Sequence, residues 1–171
     1  MEFRFTAAEE GWRDEIRGFL AQELPREPAT GAEWTTSREA WDQSLVFVRK
    51  LAAKGWLTLA WPKQYGGQER GHFEQLIFNE EMAKAEAPPS DMIGIGMVGP
   101  TLIVYGNDEQ KAQHLGGITS GAVVWCPGFS DPGSRSDLAS LQTPAVRDGD
   151  SYAVNGQTIN DVMGWSKALA D

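Results

Sequence analysis

The segment with the strongest potential for chemistry is residues 125–137, which read WCPGFSDPGSRSD. The apolar residues 122–126 predict a strand, and the Gly, Pro and Ser residues that follow predict turns, with Pro132-Gly133 suited to a type II turn. A strand that ends in such a loop presents backbone amides, carbonyls and hydroxyls at one rim. That rim suits a planar heterocycle with alternating donors and acceptors, or an anion. By composition alone, an ordinary surface turn is the favoured alternative.

Two neighbouring carboxylates, Glu80 and Glu81, are the candidates for proton abstraction. They fall within a predicted helix over residues 73–85, and Lys84 lies four positions after Glu80, at the spacing of a helical ion pair. A solvated or capping role is therefore favoured over catalysis. We name no catalytic residue in this chain.

Other familiar site patterns are missing from the sequence. It contains no G-x-G-x-x-G, Walker loop, H-E-x-x-H or G-x-S-x-G pattern. One Cys cannot form an intrachain disulfide, and with two His it provides no usual set of metal ligands, so we predict no metal site.

The composition predicts a soluble, cytoplasmic globular protein. There are 15 Lys and Arg against 24 Asp and Glu, a net charge of −9, which argues against a nucleic-acid partner. Hydrophobic residues make up 41% and charged residues 23%, as in folded domains. The most apolar stretch, residues 92–105, is too short to span a bilayer and contains Pro100, and the acidic start is unlike a signal peptide, so we expect no membrane association.

Helices are predicted before about residue 120. Thr6 and Glu9 match a capping box, and the helix behind them should stop before Pro25. Its apolar stripe consists of Trp12, Ile16, Phe19 and Leu20. Residues 25–35 have the composition of a loop, and residues 36–39 match a second capping box. The stripe of the next helix consists of Trp41, Leu45, Val48 and Ala52.

Three further features belong to the helical part. Residues 65–67, Tyr-Gly-Gly, predict a tight turn. Residues 92–105 are apolar on every side, which predicts burial among other helices. Asn107 and Gln110 are placed to cap a short following helix.

After residue 120 the pattern changes to strands and turns. Residues 145–147 and 151–154 flank Asp148-Gly149-Asp150, which predicts a hairpin. The expected fold is mainly α with a small β part: a helical domain at 1–120 and an incomplete antiparallel β-domain at 121–171. Two or three strands alone are marginally stable, so we expect either that another chain completes the sheet or that the sequence is a damaged relative of something larger.

Several motifs in one order resemble the acyl-CoA dehydrogenase family. Residues 125–137 resemble its flavin-binding segment, W-C-x-G-F-S-E-P-G-A-G-S-D, and residues 55–67 resemble its G-W-x-x-x-x-W-P-x-x-Y-G-G. Further matching segments are residues 78–83, 99–103 with 105–106, 109–111 and 152–157. The resemblance runs from about residue 5 to residue 157 and implies the amino-terminal helical domain followed by the start of the middle β-domain.

The resemblance implies a cofactor, a substrate and a set of binding residues. Members bind FAD and an acyl-CoA thioester, remove an α-proton with a carboxylate and pass the β-hydride to flavin N5. The positions that match the flavin segment are Pro127, Gly128, Phe129, Ser130 and Ser136. Ser130 is implied to lie near N5, and Ser136 near both the flavin and the CoA part of the substrate. Residues 97–103 resemble the wall beside the acyl chain, although for any single residue there a plain core role is favoured.

The sequence also departs from the family pattern. Asp131 replaces the usual Glu, and Arg135 replaces a Gly, where a long side chain would crowd the cofactor. Around residues 160–162 the family's Trp and hydroxyl residue that cover the flavin are missing. The carboxy-terminal helical domain, which supplies the base in relatives, is not found in the sequence.

Three hypotheses follow. The first is a truncated acyl-CoA dehydrogenase-like chain that acts only when a related chain supplies the missing domain, in a homo- or hetero-oligomer. The alternative is a non-catalytic helical binding or structural subunit that no longer binds flavin. A degenerate reading frame without function is the third. In each case we expect weak or absent FAD binding by the isolated chain.

Overall fold

A computed structural model describes residues 4–25, 28–125, 137–140, 142, 144–148 and 151–154. The chain divides into two compact units, Met1–Val123 and Val124–Asp171. The predicted domain boundary near residue 120 stays a prediction. The first unit is helical in its described residues, and its α-helices are α1 (Ala7–Glu23), α2 (Glu33–Thr36), α3 (Arg38–Ala53), α4 (His72–Lys84), α5 (Gly99–Tyr105) and α6 (Asp108–Thr119).

Helix α1 begins at the predicted capping box, and α6 begins at the predicted cap. The Thr6 hydroxyl accepts the Glu9 backbone N–H at 3.3 Å, and the Glu9 carboxylate accepts the Thr6 N–H at 2.6 Å. Asn107 and Gln110 make the same reciprocal pair at the start of α6. These bonds satisfy amides that have no partner within the helix, which is why the local pattern predicted both starts.

The predicted capping box at residues 36–39 is wrong. Ser37 caps α3, its hydroxyl accepting the Ala40 N–H at 3.4 Å. The Thr36 hydroxyl instead donates to the Ala32 carbonyl at 3.1 Å, because Thr36 is the last residue of α2. Helix α2 itself interrupts the end of the predicted loop at residues 25–35.

The core of the first unit forms around Trp56, which lies between α3 and α4 in sequence. Its ring makes edge contacts with Trp12 and Phe19 of α1, at centroid distances of 4.9 and 5.0 Å, and with Phe78 of α4 at 6.2 Å. Offset and edge contacts of this kind are the favoured aromatic geometries. The buried cluster consists of Trp12, Ile16, Leu20, Phe47, Val48, Leu51, Trp56, Leu57, Leu59, Ile77 and Phe78.

The prediction that residues 92–105 are buried on every side is wrong within the described residues. Met92 is 76% and Tyr105 is 83% exposed, and Met97 and Val104 are also exposed. A π-helical turn, Gly94–Val98, leads into α5, and α5 packs against this turn and α6. These contacts cover one side of the segment, so its other apolar side chains face outward.

The second unit contains a two-stranded antiparallel hairpin in its described residues. Strand β1 (Ala145–Asp148) pairs with β2 (Ser151–Val154), with Asp148 opposite Ser151, which confirms the predicted hairpin. The incomplete antiparallel β-domain itself stays a proposal. The strand predicted at residues 122–126 is wrong as far as residue 125, because the N–H groups of Ala122 and Val123 donate to the Gly117 carbonyl and close α6. Residue 126 lies outside the described residues.

Candidate functional site

An apolar cavity of about 330 Å³ lies within the first unit. Its walls include Trp61, Phe78 of α4, Ile95 and Gly96 of the π-helical turn, and Pro100 of α5. This volume is at the lower end of ordinary small-ligand sites, which run from about 300 to 1,000 Å³. Pro100 belongs to the segment 97–103 that the family resemblance places beside the acyl chain.

The polar groups in the cavity wall are few and carry no charge. The Thr58 hydroxyl donates to the Gly66 carbonyl at 3.0 Å, and the Gln75 amide donates to the Arg70 carbonyl at 2.8 Å. Asn79 and Ser90 add an amide and a hydroxyl. Because no ionisable side chain is among the described residues that line it, the cavity suits an uncharged, largely hydrocarbon group.

A backbone reversal after Trp61 fixes this side chain in the wall. The Glu69 N–H donates to the Trp61 carbonyl at 3.1 Å, so the chain doubles back through the predicted tight turn at residues 65–67. Gly66 has φ +82°, a left-handed conformation that suits glycine. A Cβ at Gly67 would overlap the Trp61 carbonyl. The predicted turn is confirmed. Glycine is needed at position 66 for its left-handed backbone and at position 67 for the close approach of the Trp61 carbonyl.

The Trp61 indole also contacts the π-helical turn directly. Its Nε1–H donates to the Ile95 carbonyl at 3.1 Å, and its ring packs on Gly99, where a Cβ would overlap it. The sequence does not predict this arrangement, because Trp61 and Ile95 are 34 positions apart and no local pattern links them. Gly67 and Gly99 are glycines at which any side chain would collide with Trp61, a reason for glycine that only the fold reveals.

The prediction that Glu81 has a solvated or capping role is wrong. Glu81 is not a candidate base either. Its side chain is 5% exposed and accepts hydrogen bonds from Arg13 and Arg17 of α1 and from Lys84. The bond from Arg17, followed by those from Arg13 and Lys84, outweighs the cost of burial and lowers the pKa of Glu81 to about 2. A carboxylate held this firmly in its ionised form is a poor proton acceptor.

Glu80 is the more exposed of the two acids and makes the predicted helical ion pair. Its carboxylate lies 3.8 Å from Lys84 Nζ, which confirms the i, i+4 contact, and 3.0 Å from Arg13. The two glutamates therefore bind α4 to α1. Their role is structural.

The residues predicted to bind the flavin lie outside the described residues. They are Pro127, Gly128, Phe129, Ser130 and Ser136. Among the helices of the described ranges, none combines the length and the hydropathy needed for a transmembrane span. The same ranges contain no group of three His, Cys, Asp or Glu side chains placed to bind a metal ion.

Comparison with known proteins identifies the class to which this helical unit belongs. Residues 6–122 match the family described as "Acyl-CoA dehydrogenase, N-terminal domain". Acyl-CoA dehydrogenase FadE26 of Mycobacterium tuberculosis is 39% identical over 160 residues, which is 92% of this chain and 39% of that protein. The chain belongs to the acyl-CoA dehydrogenase family.

Solved structures agree with this assignment. The crystal structure of the ChsE4-ChsE5 complex from Mycobacterium tuberculosis matches with a TM-score of 0.72 and 40% identity, covering 91% of this chain and 39% of the matched one. The Tcur3481-Tcur3483 steroid ACAD matches with a TM-score of 0.73 and 38% identity, covering 91% and 40%. The chain thus spans about two-fifths of the length of the relatives that it matches.

Proposed function

We propose that this chain contributes the acyl-binding helical domain and the flavin loop of an FAD-dependent acyl-CoA dehydrogenase. The reaction is the α,β-dehydrogenation of a CoA thioester. The observation that carries the proposal is the uncharged cavity of about 330 Å³ bordered by Pro100, in a chain of this family. The cavity takes the acyl group, since the thioester's hydrocarbon part needs an apolar site without ionised neighbours.

The proposed acyl group is bulky and contains rings. Support comes from the similarity to a steroid ACAD at 38% identity, and from a cavity whose walls include Trp61 and Phe78. Flat aromatic walls offer large contact areas to a rigid alicyclic group at little cost in side-chain entropy.

FAD, when bound, supplies the acceptor for the β-hydride. By resemblance, Pro127, Gly128, Phe129, Ser130 and Ser136 would hold it, with Ser136 also near the CoA part of the substrate. The role of the described residues is to exclude water from the acyl group and to hold it in one orientation.

The proton acceptor is proposed to come from outside the described residues of this chain. Glu81 is committed to ion pairs, and no acid is among the described residues that line the cavity. The names of both matched complexes pair two different chains, so we propose a hetero-oligomer in which a related chain completes the site. A non-catalytic, flavin-free subunit is the second candidate, and the same lack of an acid in the cavity wall favours it.

Filling the cavity tests the proposal. The protein, purified with any chain that accompanies it, is titrated with octanoyl-CoA and with free CoA by calorimetry. We expect Gly96→Leu to weaken octanoyl-CoA binding by at least about tenfold and to leave free CoA unaffected, because the new side chain occupies the acyl space.

Gly116→Leu is the matched control. Gly116 is also a helical glycine with room for a Cβ: nothing lies within 4 Å of one there, and at Gly96 the nearest atom is Met92 Cγ at 3.9 Å. Gly116 is not a wall residue of the cavity. We expect its affinity for octanoyl-CoA to equal that of the wild type. A wild-type protein that binds neither octanoyl-CoA nor the ring-containing cyclohexylacetyl-CoA, or equal octanoyl-CoA binding by the wild type and the Gly96 variant, would contradict the assignment of the cavity.

A further inference from the structure

The π-helical turn beside the cavity leaves one carbonyl without a helical partner. In this turn the Gly99 N–H donates to the Gly94 carbonyl, five residues earlier. The Ile95 carbonyl would therefore pair with the next amide, at position 100. That residue is proline, which has no N–H.

Trp61 supplies the missing donor. Its Nε1–H reaches the Ile95 carbonyl at 3.1 Å, in a side chain that is 5% exposed. Ile95 is half-buried and packs against the core, so water replaces a lost indole donor only in part and the indole is a specific partner for this turn. Short π-helical turns of this kind occur frequently at functional sites.

The ring is also held in place by packing. Gly99 leaves room for its six-membered edge, and the carbonyl of Trp61 is bonded to the Glu69 N–H. Because the indole is fixed, its hydrogen bond also fixes the Ile95 carbonyl and the adjoining Gly96. Both residues form part of the cavity wall.

We propose that Trp61 is a positioning residue that sets the shape of the acyl cavity by holding the π-helical turn through the Ile95 carbonyl. This inference rests on the proposed function and adds a determinant of acyl selectivity to it. Without the donor, Ile95 and Gly96 move until the carbonyl finds another partner, and the cavity loses its preference for one acyl shape.

The test compares two thioesters with equal carbon number and different width, cyclohexylacetyl-CoA and octanoyl-CoA. Binding to the protein, purified with any accompanying chain, is measured by calorimetry. We expect the wild type to prefer the cyclohexyl group by about fivefold or more, and Trp61→Phe to bring the ratio of affinities close to one. A fivefold change in this ratio corresponds to about 1 kcal/mol, which is about the net contribution of one hydrogen bond.

Trp34→Phe is the matched control for a purely structural role. Trp34 is also buried, and its Nε1–H donates to the Glu86 carbonyl at 3.0 Å, but it is not a wall residue of the cavity. We expect both variants to melt at lower temperature and the Trp34 variant alone to keep the wild-type ratio.

A second variant tests the carbonyl directly. In Trp61→Phe/Pro100→Ala, residue 100 regains an N–H that can pair with Ile95, so we expect much of the wild-type ratio to return. If Trp61→Phe does not fold, the proposal requires that the double variant does fold. Its ratio of affinities for the two thioesters must then lie within about threefold of the wild-type ratio. Its failure to do so overturns the proposal.

The possible failures are distinguishable. A wild-type protein that binds neither thioester contradicts the proposed function. A wild type that binds both, with a ratio that Trp61→Phe changes by less than about twofold, overturns the role of Trp61 and leaves the function in place.

Discussion

The ion-pair cluster between α1 and α4 yields a quantitative prediction for Glu81→Gln. Glu81 lies at its centre, paired with Arg13, Arg17 and Lys84. The substitution keeps the shape of the side chain and removes its charge. Arg13, whose side chain is 7% exposed, then keeps Glu80, at 3.0 Å, as its remaining partner across the helix interface.

The magnitude follows from the exposure of each partner. Breaking a fully buried pair costs about 3–5 kcal/mol. Arg17 and Lys84 have side chains 53% and 58% exposed, so water replaces their lost contacts at little cost. Because Arg13 keeps Glu80, we expect a loss of about 2–3 kcal/mol in the free energy of unfolding. That corresponds to a fall of roughly 4–12 °C in melting temperature.

The loss should depend on pH in a defined direction. The folded state lowers the pKa of Glu81 to about 2, whereas an unfolded Glu has a pKa of about 4.3. A lowered pKa stabilises the fold above about pH 4.3, and this contribution disappears as the pH falls toward about 2. The wild type and the variant should therefore differ most near neutral pH and converge in acid.

Thermal and urea unfolding, followed by circular dichroism at several pH values, measure these differences. Glu80→Gln is the control, because the Glu80 side chain is 40% exposed and its loss should cost under about 1 kcal/mol. Equal effects of the two substitutions, or a Glu81→Gln deficit that grows in acid, would refute this account of the cluster.

Two further predictions concern the cap of helix α1 and the packed glycine at position 67. Thr6→Ala removes the cap of α1 and should cost about 1 kcal/mol in urea unfolding, whereas Thr36→Ala, whose hydroxyl bonds back within α2, should cost less than half as much. Gly67→Ala should cost about 3 kcal/mol, because its Cβ meets the Trp61 carbonyl. Gly11→Ala, at a helical position with free space, should instead stabilise by about 0.5–1 kcal/mol, and a reversed order of the two glycine variants would contradict the packing around Trp61.

Local patterns predicted the helix starts where one side chain serves one amide. Thr6 and Asn107 are the clear cases. At residues 35–37 three consecutive hydroxyl residues compete, and the local pattern does not choose among them. Trp34, which directly precedes them, makes a contact that no local pattern predicts, because its indole donates to the Glu86 carbonyl 52 positions away.

Long-range contacts explain why the sequence does not predict the cavity of the candidate site. The family motifs led to the flavin loop, whereas the cavity depends on the meeting of Trp61 with Ile95 and Gly99. Neither hydrophobic periodicity nor turn composition predicts this contact, because it is produced by tertiary packing. The exposed side chains Met92 and Tyr105 show the same limit: apolar composition indicates a surface that needs covering but does not say what covers it.

Anaerobic titration of the purified protein, with any chain that accompanies it, tests the proposed dehydrogenation most directly. Cyclohexylacetyl-CoA is added while the visible absorbance of bound flavin is recorded. We predict a yellow protein whose flavin band is bleached by thioester as hydride reaches the cofactor. A colourless preparation, or a flavin band that thioester leaves unchanged, would contradict the proposal and favour the non-catalytic subunit.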